Sequence, residues 1–131
     1  MRNRHPFRFL TTLLMAAGLQ LGVASAALAH GDAPARFGGI VKSSQEISFE
    51  LVSATAGGAE VYMDDHGELM NTTGITGKLT VIAAGGKKEA AVTADGKKLV
   101  APGINPVSGD RVVLVVTLPS QKTVSVRYAI P

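Results

Sequence analysis

Glu46-Ile47-Ser48-Phe49-Glu50-Leu51 decides the fold class, because its apolar and polar residues alternate with a period of two. In an extended strand that period puts Ile47, Phe49 and Leu51 on one buried face and leaves Glu46, Ser48 and Glu50 in water. The same alternation returns downstream in Glu60-Val61-Tyr62-Met63-Asp64, after the turn at Gly57-Gly58. It returns again at the C-terminal end, where Val124, Val126, Tyr128 and Ile130 interleave with Thr123, Ser125, Arg127 and Ala129. Upstream, Gly38-Gly39 introduces a first short strand over Ile40 to Ser43.

Between these lie further strands punctuated by turn residues. Lys78 to Ala83 stops at Gly85-Gly86 and continues as Lys87 to Thr93, and Asp95-Gly96 is a two-residue hairpin signal leading into Lys97 to Ala101. Leu69 to Gly77, with Asn71, Thr72, Thr73 and Gly74, reads as an irregular crossing. Arg111 to Leu118 is the most apolar segment, and its β-branched Val112, Val113, Val115 and Val116 suit a central strand covered on both faces. Seven to eight short strands at spacings of about ten residues, with no sustained helical periodicity, predict a single antiparallel β-sandwich of immunoglobulin or cupredoxin type. Without tryptophan, its core is to be built mainly from Val, Ile, Leu and Ala.

The first 29 residues read differently. Arg2, Arg4 and Arg8 precede an apolar stretch from Phe9 to Val23, which closes on Ala27-Leu28-Ala29, the small-x-small form that signal peptidase cuts. Ala24-Ser25-Ala26 offers a competing cut. The stretch is broken by Gln20 and falls short of the roughly twenty residues of a spanning helix, which favours a cleaved leader over a retained anchor. We therefore expect residues 1–29 to be a signal peptide and 30–131 a periplasmic β-domain with no membrane insertion after cleavage.

Charge and composition exclude several classes. The formal net charge of +3 resides in the leader, since residues 30–131 carry ten basic and ten acidic side chains. The isoelectric point near 9.5 is thus no argument for nucleic acid. The chain has no cysteine, which removes disulfides, thiolate metal sites, a cysteine nucleophile and a lipoprotein anchor. No G-x-S-x-G, H-E-x-x-H or helix-flanked phosphate loop is present, and we expect no enzyme. Gly85-Gly86-Lys87-Lys88 reads as a hairpin turn, and the adjacent Asp64 and Asp65 read as a solvated turn rather than an acid and base pair.

One cluster mixes metal-ligand types: Met63, Asp64, Asp65 and His66, extended by Glu68 and Met70. Imidazole suits copper, zinc and nickel, carboxylate suits harder ions, and thioether sulfur selects Cu(I). Each has a plain structural alternative. Met63 shares the parity of Val61 and fits the core, and Asp-His-Gly is also good turn chemistry for His66. His30 joins the cluster if cleavage follows Ala29. It then offers an α-amine and an imidazole from one residue, two in-plane donors for Cu(II), and His66 would add a third nitrogen. The candidate metal residues are His30, His66, Met63 and Asp64, with copper as the candidate ion.

Several short pieces together resemble small exported proteins and adaptor-associated domains found with bacterial heavy-metal resistance and efflux systems. These are Gly38-Gly39-Ile40-Val41, Glu50-Leu51-Val52, Tyr62-Met63-Asp64-Asp65, Gly74-Ile75-Thr76-Gly77-Lys78-Leu79-Thr80, Gly85-Gly86-Lys87-Lys88, and Leu118-Pro119 with Val124-Ser125-Val126-Arg127-Tyr128. Phe37 stands where that pattern has a histidine before the glycine pair. The resemblance implies an exported β-sandwich that buffers a metal or delivers it to an efflux or resistance component. The competing expectation is a metal-free module that docks on an envelope partner through a strand edge.

Overall fold

Phe49 pairs with Met63 and Leu51 with Val61 across an antiparallel ladder, so the two alternating segments put their apolar faces on one side. The computed structural model describes residues 31–53 and 55–131. These form nine strands: β1 (Ile40–Ser44), β2 (Ile47–Val52), β3 (Gly58–Asp65), β4 (Glu68–Leu69), β5 (Thr76–Ala83), β6 (Gly86–Asp95), β7 (Lys98–Pro102), β8 (Arg111–Thr117) and β9 (Thr123–Ala129). All pairings are antiparallel, in the order β1-β2-β3-β7-β6-β5-β8-β9, with the short β4 on β3.

The fold is all-β, as the alternation predicts, and its two faces are continuous. β6 is the corner: Gly86 to Val92 pair with β5, and Thr93 to Asp95 pair with β7. A strand that changes partners midway bends one sheet over onto itself. β9 thereby comes back beside β1, and the body is nearly a barrel. Across the interior the Tyr128 hydroxyl of β9 donates to the Phe49 carbonyl of β2 at 3.1 Å.

The core is aliphatic. Phe49, Leu51, Val61, Met63, Leu79, Leu99, Leu114, Val116 and Val124 lie at its centre, each essentially without solvent exposure. Four expectations need correction. Val113 and Val115 are half-buried while Val112, Leu114 and Val116 are buried, so β8 alternates instead of being covered on both faces. It sits between β5 and β9, whose outer face is open to water. The Asp95-Gly96 turn lies one residue further on: Asp95 pairs with Lys98, and Gly96 and Lys97 form the loop. Only Gly96 there has a positive φ, +62°, as a turn with glycine first requires. The crossing from Leu69 to Gly77 is partly strand, since β4 takes its start and β5 its end. Thr72 pins what remains, its N–H donating to the Gly96 carbonyl at 2.9 Å and its hydroxyl lying 2.9 Å from the carbonyls of Gly96 and Lys98.

The hairpin turn between β1 and β2 is the fourth correction. Ser44 pairs with Ile47, which leaves Gln45 and Glu46 as the two loop residues, at φ +51° and +69°. Glu46 is thus a turn residue and not the first water-facing position of β2. The β3–β4 turn is built alike, with His66 and Gly67 at φ +51° and +91° between paired Asp65 and Glu68. Both match the type I′ geometry that fits the twist of paired strands.

Candidate functional site

The outer face of β1–β2–β3 carries Val41, Glu50 and Tyr62 in one row and Ser43, Ser48 and Asp64 in the next. The segment before β1 lies across this face as an arm, and Glu50 holds it there. Glu50 is 5% exposed, against the expectation that it faces water. Its Oε2 accepts the Arg36 N–H, and its Oε1 accepts the N–H groups of Phe37 and Gly39, all at 2.8 Å. These amides belong to no strand and need an acceptor from elsewhere, and one carboxylate supplies it. Gly39 makes the close approach feasible, because a Cβ there would collide with the Leu51 carbonyl oxygen.

Side chains continue the attachment. The Phe37 ring stacks on Tyr62 with centroids 3.7 Å apart and planes 13° apart. The Tyr62 hydroxyl donates to Glu60 Oε2 at 2.9 Å, and Lys98 Nζ meets Glu60 Oε1 at 2.8 Å. Arg36 Nη1 reaches Asp64 Oδ2 at 2.8 Å. Nearer the start of the arm, Asp32 Oδ1 accepts the Ser43 N–H at 3.0 Å, and its Oδ2 meets Lys42 Nζ at 2.7 Å. The Lys42 hydrogen bond holds the Asp32 carboxyl below its ordinary value, as Lys98 does for Glu60.

Arm and sheet border an open hollow of about 820 Å³, lined by Gly31 at one end of the arm and by Glu46 and His66 from the two adjacent turns. The candidate residues fall unevenly around it. His66 is on the rim, its ring 75% exposed, with Nδ1 at 2.5 Å from Asp65 Oδ1. That hydrogen bond, with the Asp65 charge behind it, raises the His66 pKa above its ordinary 6.5. A carboxylate on one ring nitrogen fixes the tautomer and leaves Nε2 as the lone-pair donor, the usual support of a metal-bound imidazole.

Asp64 lines the hollow, but both its oxygens are engaged: Oδ2 by Arg36, Oδ1 by the Gly67 N–H at 2.6 Å. Met63 points the other way, fully buried in the core, as its parity with Val61 allows. Met70 is half-buried against the same core, and Glu68 is exposed. His30 lies outside the described residues. Among the described residues, no group of three or more His, Asp or Glu side chains is disposed to hold a metal. Period-two alternation assigns Glu50 to water, and nothing local in the sequence signals the arm that covers it.

This is an all-β domain of antiparallel strands with an N-terminal arm strapped over one sheet face. No family model, curated protein or solved structure matches the chain.

Proposed function

We propose that this is a periplasmic metal-binding protein, exported through its N-terminal signal and with copper as its candidate ion, that buffers the ion or hands it to an efflux or resistance component. One observation carries the reading: Gly31 and His66 line the same hollow, while Asp32, Arg36 and Phe37 fasten the arm to the sheet. Cleavage after Ala29 would make His30 the first residue, next in sequence to Gly31 of that lining. Three nitrogens, two from His30 and one from His66, suit a tetragonal Cu(II) site. The Asp65–His66 hydrogen bond supports the imidazole for this role. Met63 and Asp64 drop out of the donor set, the first because it is core and the second because Arg36 and Gly67 occupy it.

Equilibrium titration of the correctly processed protein with Cu(II) tests this. We expect sub-micromolar binding that is lost on His30→Ala or on adding one residue before His30, and weakened on His66→Ala. Failure of the processed wild type to bind would remove the reading. The second reading, a metal-free docking module, draws support from β1 and β9, each of which is paired with only one strand among the described residues. Specific capture of an envelope partner by metal-stripped protein would favour it.

A further inference from the structure

We infer that the outer face of β5, β8 and β9 docks peripherally on anionic lipid headgroups, leaving the arm and hollow on the outer face of β1–β3 uncovered. The inference owes nothing to the metal reading. It begins from how charge is divided along the chain: residues 31–75 carry seven acidic side chains and two basic ones, whereas residues 76–131 carry three acidic and eight basic. Near-neutrality therefore conceals two oppositely charged halves, and such a charge distribution orients a domain on a charged surface.

Register then sets the cations side by side. Lys87, Ile82, Arg111 and Ala129 form one row across β6, β5, β8 and β9, and Glu89, Thr80, Val113 and Arg127 form the next. Val112, Leu114 and Val116 of β8 are buried, so both rows face outward. Lys78 follows on β5, level with Val115. Glu89 is the acid of these rows, and Lys78 and Lys87 already share it, at 3.3 and 3.2 Å. Arg111 and Arg127 are both exposed and are diagonal neighbours across β8 and β9, a separation of roughly 7–8 Å in ordinary sheet geometry. Among the described residues neither has an ion pair. Like charges so placed work against folding, and an anion from outside relieves them.

Lipid suits this face better than other anionic partners do. The two rows hold no aromatic side chain, which single-stranded nucleic acid uses for stacking and a protein interface for its anchors. Lysine is also depleted from protein interfaces. Ile82, 46% exposed between Lys87 and Arg111, offers an apolar contact level with two cations, which the boundary between headgroups and acyl chains accommodates.

The test is co-sedimentation of the processed wild type, Arg111→Gln/Arg127→Gln and Arg111→Lys/Arg127→Lys with vesicles of phosphatidylcholine, alone or mixed equally with phosphatidylglycerol, alongside thermal melts. Wild type is expected to bind the mixed vesicles only, and to be released as salt rises. A cation near an anionic surface contributes about 1 kcal/mol, so the double Gln variant should bind about thirtyfold more weakly and the double Lys variant about as well as wild type. Neither variant should melt lower, because both arginines are exposed and without ion pairs. Binding lost without stability lost is what a merely structural role for the arginines does not produce. Equal binding of wild type to both vesicles, or equal binding of wild type and the double Gln variant to the mixed ones, overturns the inference. So does a wild type that sediments with neither, including one retained instead by immobilised polyglutamate, which would assign the face to an acidic protein.

Discussion

Glu46 and Glu50 occupy alternate positions of one period-two run, and the structure treats them in opposite ways. Glu50 is buried under the arm as an acceptor of three amides, whereas Glu46 stands exposed in a turn. Alternation sees only which side of a strand a residue faces, so it cannot distinguish water from a covering segment on the polar side. Replacing Glu50 by Ala leaves three amides without their charged acceptor. Because the freed arm can recover water, the expected loss is about 1–3 kcal/mol by denaturant melts. Amide exchange at Arg36, Phe37 and Gly39 should accelerate with it, and unchanged exchange there would contradict the anchoring role. His66 offers a second check. Its hydrogen bond to Asp65 predicts an NMR titration midpoint above 6.5 that returns toward 6.5 in Asp65→Asn.

At the scale of elements, strand existence is legible and strand ends are not. The alternating segments 47–51, 60–64 and 123–129 all lie in strands, because one apolar face of each has to meet a core. Turns slip by a residue, as at Asp95-Gly96, where cross-strand register and not dipeptide preference chooses which residue takes the positive φ. Gly96→Ala should therefore cost about 1 kcal/mol or more, since alanine resists φ +62°, whereas Asp95→Ala removes no turn residue and should cost less. Comparing the two by thermal melts locates the turn. Gln45 and Glu46 show the converse, a two-residue turn between β1 and β2 that carries no glycine or asparagine to announce it.

For the whole molecule, stability comes from one aliphatic core without disulfides, so single large-to-small changes are costly. Phe49→Ala, at a site with no solvent exposure, should lose about 3–5 kcal/mol in denaturant melts. Acid should loosen the arm and the sheet face together. Asp32 and Glu60 are held below their ordinary values of 3.8 and 4.5 by hydrogen bonds from Lys42 and Lys98. A depressed folded pKa means that the unfolded chain takes up the proton first, so this stabilisation is complete above the ordinary values and is lost as pH falls through the folded ones. Unfolding midpoints should hold to about pH 5 and then drop toward pH 2, with a shallower drop in Lys98→Met. The amino-acid sequence by itself determined an all-β antiparallel domain with an aliphatic core, because hydrophobic period is a local property that each segment carries alone. Only the tertiary structure decided that β6 turns one sheet into a near-barrel, that the arm buries Glu50, and that Gly31 and His66 come to line one hollow. Those outcomes depend on which strands pair and on what covers their polar faces, and long-range pairing leaves no periodic trace in the residues that take part.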